Sequence, residues 1–140
     1  MEISEVRVRL VANKDEKLKA FCSVTLDAAF VIRDIKVIEG ADGYFVAMPS
    51  RKMSDHCERC GSKNHLRAKY CNNCGVSLRA NRAKRDQQGR AKLHTDIAHP
   101  ITAICRQQLQ RKVVDAVRKE MELSQKPGYR PVEMDVDLED

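Results

Sequence analysis

The 140-residue chain has no tryptophan and only three tyrosines and three phenylalanines. Any hydrophobic core must therefore be built from valine, isoleucine, leucine, methionine and alanine. No segment approaches the roughly 20 consecutive apolar residues of a membrane-spanning helix. The opening stretch, Met1 to Leu10, carries Glu2 and Glu5 where a secretory signal carries basic residues. A cytoplasmic protein with reduced thiols is the expectation. A glycine-rich phosphate loop, a nucleophile with a partner base, and internal repeats beyond one pair of cysteine motifs are all missing. These absences argue against an enzyme, and no catalytic residue is assigned. At this length the chain holds one modest domain with an accessory, too short for two full cores.

What is present begins with charge. The formal net charge is +6, and it is unevenly spread. Residues 1–50 are nearly balanced, with seven basic and eight acidic side chains. Residues 51–92 carry twelve basic against three acidic side chains, and residues 101–119 add five against one. From Glu120 to Asp140 the sign reverses, with seven acidic and two basic residues. Residues 127–140 read as an acidic, disordered tail.

Four of the six cysteines form two CxxC-Gly knuckles, Cys57-Glu58-Arg59-Cys60-Gly61 and Cys71-Asn72-Asn73-Cys74-Gly75, separated by ten residues. Each knuckle brings two thiolates to one point, and the glycine after it lets the backbone turn beneath a metal with positive φ. Two such knuckles supply four sulfurs in tetrahedral geometry, the donor set of a structural Zn²⁺ site. A closed shell leaves no position for substrate water, so one structural zinc per chain is expected. A disulfide pair needs an oxidising compartment. A redox CxxC needs a βαβ setting. His56 and His65 lie close enough to raise a mixed-ligand alternative, but four cysteines already complete the set.

The rest of the chain reads as sheet and helix. Val6, Val8 and Leu10 alternate with Arg7 and Arg9, the period of a half-buried strand. Leu18, Ala20, Cys22, Val24 and Leu26 alternate likewise. Phe30 to Ile38 is β-branched and apolar and ends at a Gly-Ala-Asp-Gly turn, and Tyr44 to Met48 is a short run stopped by Pro49. Four strands with short turns make an antiparallel meander. After Pro100, Ile101, Cys105, Leu109, Val113, Val117 and Met121 recur every four residues, with Ile104 and Ala116 widening the stripe of an amphipathic helix. Its other side carries Arg106, Gln110, Arg111, Arg118 and Lys119. Cys22 and Cys105 read as small buried hydrophobes. Residues 79–92, rich in Arg, Lys, Ala and Gln, are expected as an exposed basic linker or helix, which Gly89 weakens. The fold class is thus α+β, a four-stranded antiparallel β-meander plus a C-terminal helix, interrupted by a small zinc ribbon.

Outside residues 53–92, the runs MEISEVRVRLV, VTLDAAFVIRDIKVIEGADGYFVAMPSRK and HTDIAHPI, in that order, resemble the stage V sporulation protein G family (SpoVG, septation protein). The resemblance implies a small bacterial homodimer that binds DNA or RNA and regulates gene expression, sporulation or septum placement. It gives a discontinuous SpoVG-like domain over residues 1–52 and 93–126. The segment HCERCGSKNHLRAKYCNNCGVSLR, with the ribbon placed at residues 53–78, resembles the small zinc ribbons found as accessory domains in bacterial proteins.

Twelve basic residues between Arg51 and Lys92 crowd together at a cost in self-repulsion that a polyanion relieves. The candidate nucleic-acid contacts are Arg51, Lys52, Lys63, Arg67, Lys69, Arg79, Arg82, Lys84 and Arg85, with Arg106, Arg111 and Lys112 from the helix. Few aromatics imply backbone contacts more than base stacking. Tyr70 is placed either to stack on a base or to fill the ribbon's own small core. Asp96 and His99 suggest an acid–base pair, but structural roles suit them better. The rival reading, from another class, is an adaptor whose ribbon docks on division or transcription machinery without touching nucleic acid. No small-molecule substrate and no membrane partner are expected.

Overall fold

Alternation of apolar and charged residues gives the first sheet. In the computed structural model, which describes residues 1–132, the strands β1 (Ile3–Leu10), β2 (Leu18–Leu26), β3 (Phe30–Gly40) and β4 (Gly43–Ala47) form one antiparallel sheet in the order β1-β2-β3-β4. The β2–β3 turn places Asp27 and Ala28 at φ of 50° and 52°, a conformation alanine adopts only under constraint. The start of the chain supplies that constraint. Asp27 N–H donates to Glu2 O at 2.7 Å, Glu2 N–H donates back to Asp27 Oδ1 at 2.7 Å, and Ala28 N–H donates to Ser4 Oγ at 2.8 Å.

Helix α1 (Ala103–Ser124) covers one face of this sheet. Thr102 caps it, its side chain accepting from Cys105 N–H at 3.1 Å, which satisfies one of the first-turn donors. Leu109, Val113 and Val117 meet Val8, Ala20, Cys22, Val24, Leu26, Ile35 and Val37 in an aliphatic core. Because Thr102 begins the helix, the stripe starts one turn later than its period suggests. Ile101 and Ile104 are 89% and 71% exposed, not packed, and Cys105 is half-buried.

Gln110 also departs from its expected place on the polar side. Its amide donates to Tyr44 O and accepts from Val46 N–H, each at 2.9 Å. It closes the outer edge of β4 as a further strand would, and so removes part of a pairing-prone edge.

The chain divides into two compact units, Met1–Pro49 with Ala98–Asp140, and Ser50–Ile97. Sheet and helix make the first. The second contains two short antiparallel strand pairs and no helix: β5 (Ser50–Lys52) pairs with β8 (His94–Asp96), and β6 (Ser54–His56) with β7 (Lys63–His65). The Ser50↔Asp96 pairing holds the two ends of this unit side by side, so it can be carried as an insertion.

Residues 79–92 form no helix. Arg85 and Ala91 make an antiparallel bridge, and Lys92 N–H donates to Lys84 O at 2.8 Å. Asp86 Oδ1 accepts from Gln88 and Arg90 N–H, both at 2.9 Å, and Gly89 turns at φ 77°. The Asp-x-x-Gly pattern is a turn signal that overrides the helix-favouring composition around it. Within residues 127–132, Tyr129 O–H donates to Glu120 Oε1 at 2.5 Å, so this part of the expected acidic tail folds against α1. Residues 133–140 lie outside the described residues.

Candidate metal centre and basic surface

Each knuckle uses one hydrogen-bond scheme. Cys57 N–H donates to Ser62 O at 2.8 Å and Gly61 N–H to Cys57 O at 2.8 Å; Cys71 N–H donates to Val76 O at 2.9 Å and Gly75 N–H to Cys71 O at 3.1 Å. Gly61 and Gly75 sit at φ of 77° and 76°, where a side chain would be strained. The same five-residue loop, made twice, brings four thiols together.

The four Sγ atoms all lie within 4.8 Å of one another. Cys60 and Cys71 sulfurs are 3.5 Å apart, and those of Cys57 and Cys74 3.8 Å. A tetrahedron with metal–sulfur bonds of about 2.3 Å has edges of about 3.8 Å, so the cluster has the dimensions of a metal-thiolate site. An all-sulfur tetrahedron suits zinc or iron.

Electrostatics agrees with that use. Cys71 is lowered to about 5, chiefly by the Cys74 backbone N–H, with help from the Asn64 side chain and the Asn73 N–H. Cys60 is also lowered, through the Ser62 side chain and backbone and the Asn73 side chain. Cys74 feels a lowering hydrogen bond from Val76, but burial and its three thiol neighbours raise it to about 11. The first thiolates form readily and the last resists, as expected of four like groups crowded together. A central dication removes that resistance. These four cysteines can hold a metal ion.

Asn64 and Asn72 also belong to the centre, although nothing in their spacing announces them. Asn64 is 3% exposed; its Oδ1 accepts from Asn72 N–H at 2.8 Å and from Asn72 Nδ2 at 2.6 Å. Asn72 Nδ2 also donates to Lys63 O at 2.7 Å. The pair ties the second knuckle to β7, the strand that follows the first knuckle. Neither histidine joins the sulfurs. The His56 ring contacts Gly61 O at 2.9 Å through Nδ1, and His65 is exposed.

Among the basic candidates, Arg82 is internal. Only 14% of its side chain is exposed. Its guanidinium pairs with Asp55 Oδ2 at 2.8 Å and donates to the carbonyls of His65 (2.8 Å), Ala68 (3.0 Å) and Arg79 (2.7 Å). Arg79 is exposed but pairs with Glu58. Arg51, Lys52, Lys63, Arg67, Lys69, Lys84 and Arg85 are exposed. Tyr70 is 66% exposed, so its ring does not fill a ribbon core. In the sheet-and-helix unit, Arg106, Arg111 and Lys112 are exposed, and Lys112 Nζ lies 3.4 Å from Ile3 O. His99 Nδ1 lies 3.1 Å from Pro100 O, a local backbone contact. Cys22 is fully buried, and burial pushes its thiol up to about 12.

A four-stranded meander under one helix, with an inserted unit carrying a four-cysteine centre, defines an α+β protein of the septation-protein type. The SpoVG family profile matches residues 1–119, and the chain belongs to the SpoVG family. A proposed septation protein SpoVG of Lachnospira eligens is 38% identical over 119 residues, 85% of this chain and 93% of its own. One from Agathobacter rectalis is 34% identical over 122 residues, 87% of this chain and 98% of its own. A third, from Thermoanaerobacter pseudethanolicus, is 62% identical over 52 residues, which make up 37% of this chain but 55% of that one. This last relative is therefore the shorter protein. No helix of the described residues is long and apolar enough to cross a membrane.

Proposed function

We propose that this SpoVG-family protein is a bacterial cytoplasmic regulator of septation or sporulation that acts by binding DNA or RNA. One structural zinc ion per chain, held by Cys57, Cys60, Cys71 and Cys74, shapes the surface added at residues 50–97. The name shared by the curated relatives supports the septation role. The observation that carries nucleic-acid binding is the uncompensated positive charge of residues 51–92. Of the three acids there, Asp55 is held by Arg82 and Glu58 by Arg79, while Asp86 is committed to backbone N–H groups of its own turn. The remaining cations point to solvent without a counter-charge from that stretch. A phosphate backbone supplies it and releases condensed counterions. A homodimer doubles the patch.

Zinc suits the site better than a catalytic metal because four sulfurs close the tetrahedron and leave no ligand position for water. Native mass spectrometry should find one zinc per chain. For nucleic acid, affinity should fall steeply between about 50 and 200 mM salt, with a log–log slope near −0.9 for each duplex phosphate neutralised. No affinity for any DNA or RNA at low salt would replace this reading with the adaptor, whose ribbon docks on a protein partner.

A further inference from the structure

Residues 66–93 enclose a cavity of about 270 Å³ that lies entirely within the inserted unit. Half-buried apolar side chains, Leu66, Leu78 and Leu93 with Ala83 and Ala91, form its lining. The exposed cations Arg67, Lys69, Arg79 and Arg85 also line it, and no acidic residue does. An apolar hollow of this size left open to water is unfavourable in proportion to its area. Arg67, Lys69 and Arg85, which have no counter-charge from residues 51–92, add repulsion, while Arg79 is already met by Glu58. One occupant relieves both: a flat, largely apolar group with anionic groups on either side.

The cavity is also held in shape before anything binds. Arg82 ties residues 79–82 to the carbonyls of His65 and Ala68, and Leu78 N–H donates to Lys69 O at 2.8 Å. Around the lining residues Leu93, Arg85 and Ala91, Met53 N–H donates to Leu93 O and Lys92 N–H to Lys84 O, both at 2.8 Å, and Arg85 bridges to Ala91. A preformed pocket spares the ligand the ordering cost of a loop.

We propose that this cavity takes one unstacked base of a single-stranded nucleic acid, with the flanking phosphates on the arginine and lysine rim. Resting on the nucleic-acid reading above, this goes further by naming the strand form and the site. A base inside a duplex is stacked and paired, and reaching the cavity would mean extruding it. In a single strand every base has a free face, and burying one adds affinity regardless of its identity.

The test uses the full, zinc-loaded protein and two probes: an oligothymidylate of about a dozen nucleotides and an abasic strand with the same phosphates. The oligothymidylate should bind about tenfold more tightly, the gain expected from burying one base, and more tightly than a duplex of the same length. Ala80→Leu fills the mouth from an exposed position, and in that protein the two strands should bind equally. Ala91→Leu, filling from the half-buried side, should give the same result, with zinc content checking that each variant is folded. Equal binding of both strands by the unaltered protein overturns the base pocket while leaving phosphate binding intact. Binding of neither strand and of no duplex at low salt overturns the nucleic-acid reading itself, and binding of the duplex alone overturns the base pocket. Displacement of the oligothymidylate by poly-glutamate at equal charge would assign the cavity to acidic peptides and overturn the proposal.

Discussion

The two units of this chain are stabilised by different physics. Residues 1–49 with 98–132 bury Val8, Val24, Ile35, Val37, Val113 and Val117 in one aliphatic cluster. In residues 50–97 only Cys57, Asn64 and Cys71 are buried, with no large apolar side chain among them. The first unit is an ordinary hydrophobic fold. The second depends on thiols, amides and one arginine, and a segment that buries so little apolar area needs a covalent or metal crosslink to hold its shape. An insertion of this kind adds surface without drawing on the host's core.

Metal removal should separate the units most sharply. Chelation, or Cys60→Ser with Cys74→Ser, should abolish zinc binding and melt residues 50–97, seen as lost amide protection there, while the sheet and helix stay folded. Conversely, Ile35→Ala leaves a cavity in the fully buried core, and should cost the sheet-and-helix unit about 2–5 kcal/mol in denaturant titration. Zinc content should not change. Asn64→Ala removes the tie between β7 and the second knuckle, and should weaken zinc affinity by about 10–100-fold in competition with a chelator, the usual effect of losing a group that orients metal ligands.

Acid and alkali should act through different cysteines. Cys71 is lowered to about 5 in the folded chain, so its contribution is present above the ordinary thiol range and is lost as pH falls through about 5. Acid should therefore release metal and loosen residues 50–97 first. Cys22 is raised to about 12 by burial, so its contribution is complete below the ordinary value of 9.0 and fades between there and about 12. Alkali should act on the sheet-and-helix unit. Cys22→Ala should flatten that alkaline loss in thermal melts across pH 8 to 11, the smallest of these effects.

The contrast also explains what was legible in the sequence. The meander could be read because β2 repeats its burial every second residue, with Ala20, Cys22, Val24 and Leu26 where alternation puts them, whereas in β3 a register shift beside Asp34, at φ 59°, carries burial from Ile32 to Ile35 and Val37. The knuckles were legible because metal chemistry fixes residue type and spacing together. Other features depend on partners far apart in the chain, for which no period exists. Arg82 looks like any surface cation until Asp55 and the carbonyls of His65 and Ala68 surround it. Gln110 lies on the polar side by its spacing, yet an amide is the side chain that can imitate a strand edge, and β4 offered one. Ile101 fits the four-residue period and Ile104 widens its stripe, but Thr102 caps the helix after one and just before the other, and both are exposed. In residues 79–92, one Asx turn at Asp86–Gly89 outweighed the helical propensity of the surrounding Arg, Lys, Ala and Gln.

Hydrogen exchange on the full-length protein, with and without a zinc chelator, tests the central claim most directly. A metal-dependent insert in a metal-independent host predicts that protection vanishes across residues 50–97 and is unchanged across β1 to β4 and α1. Loss of protection in both units together, or in neither, would contradict it.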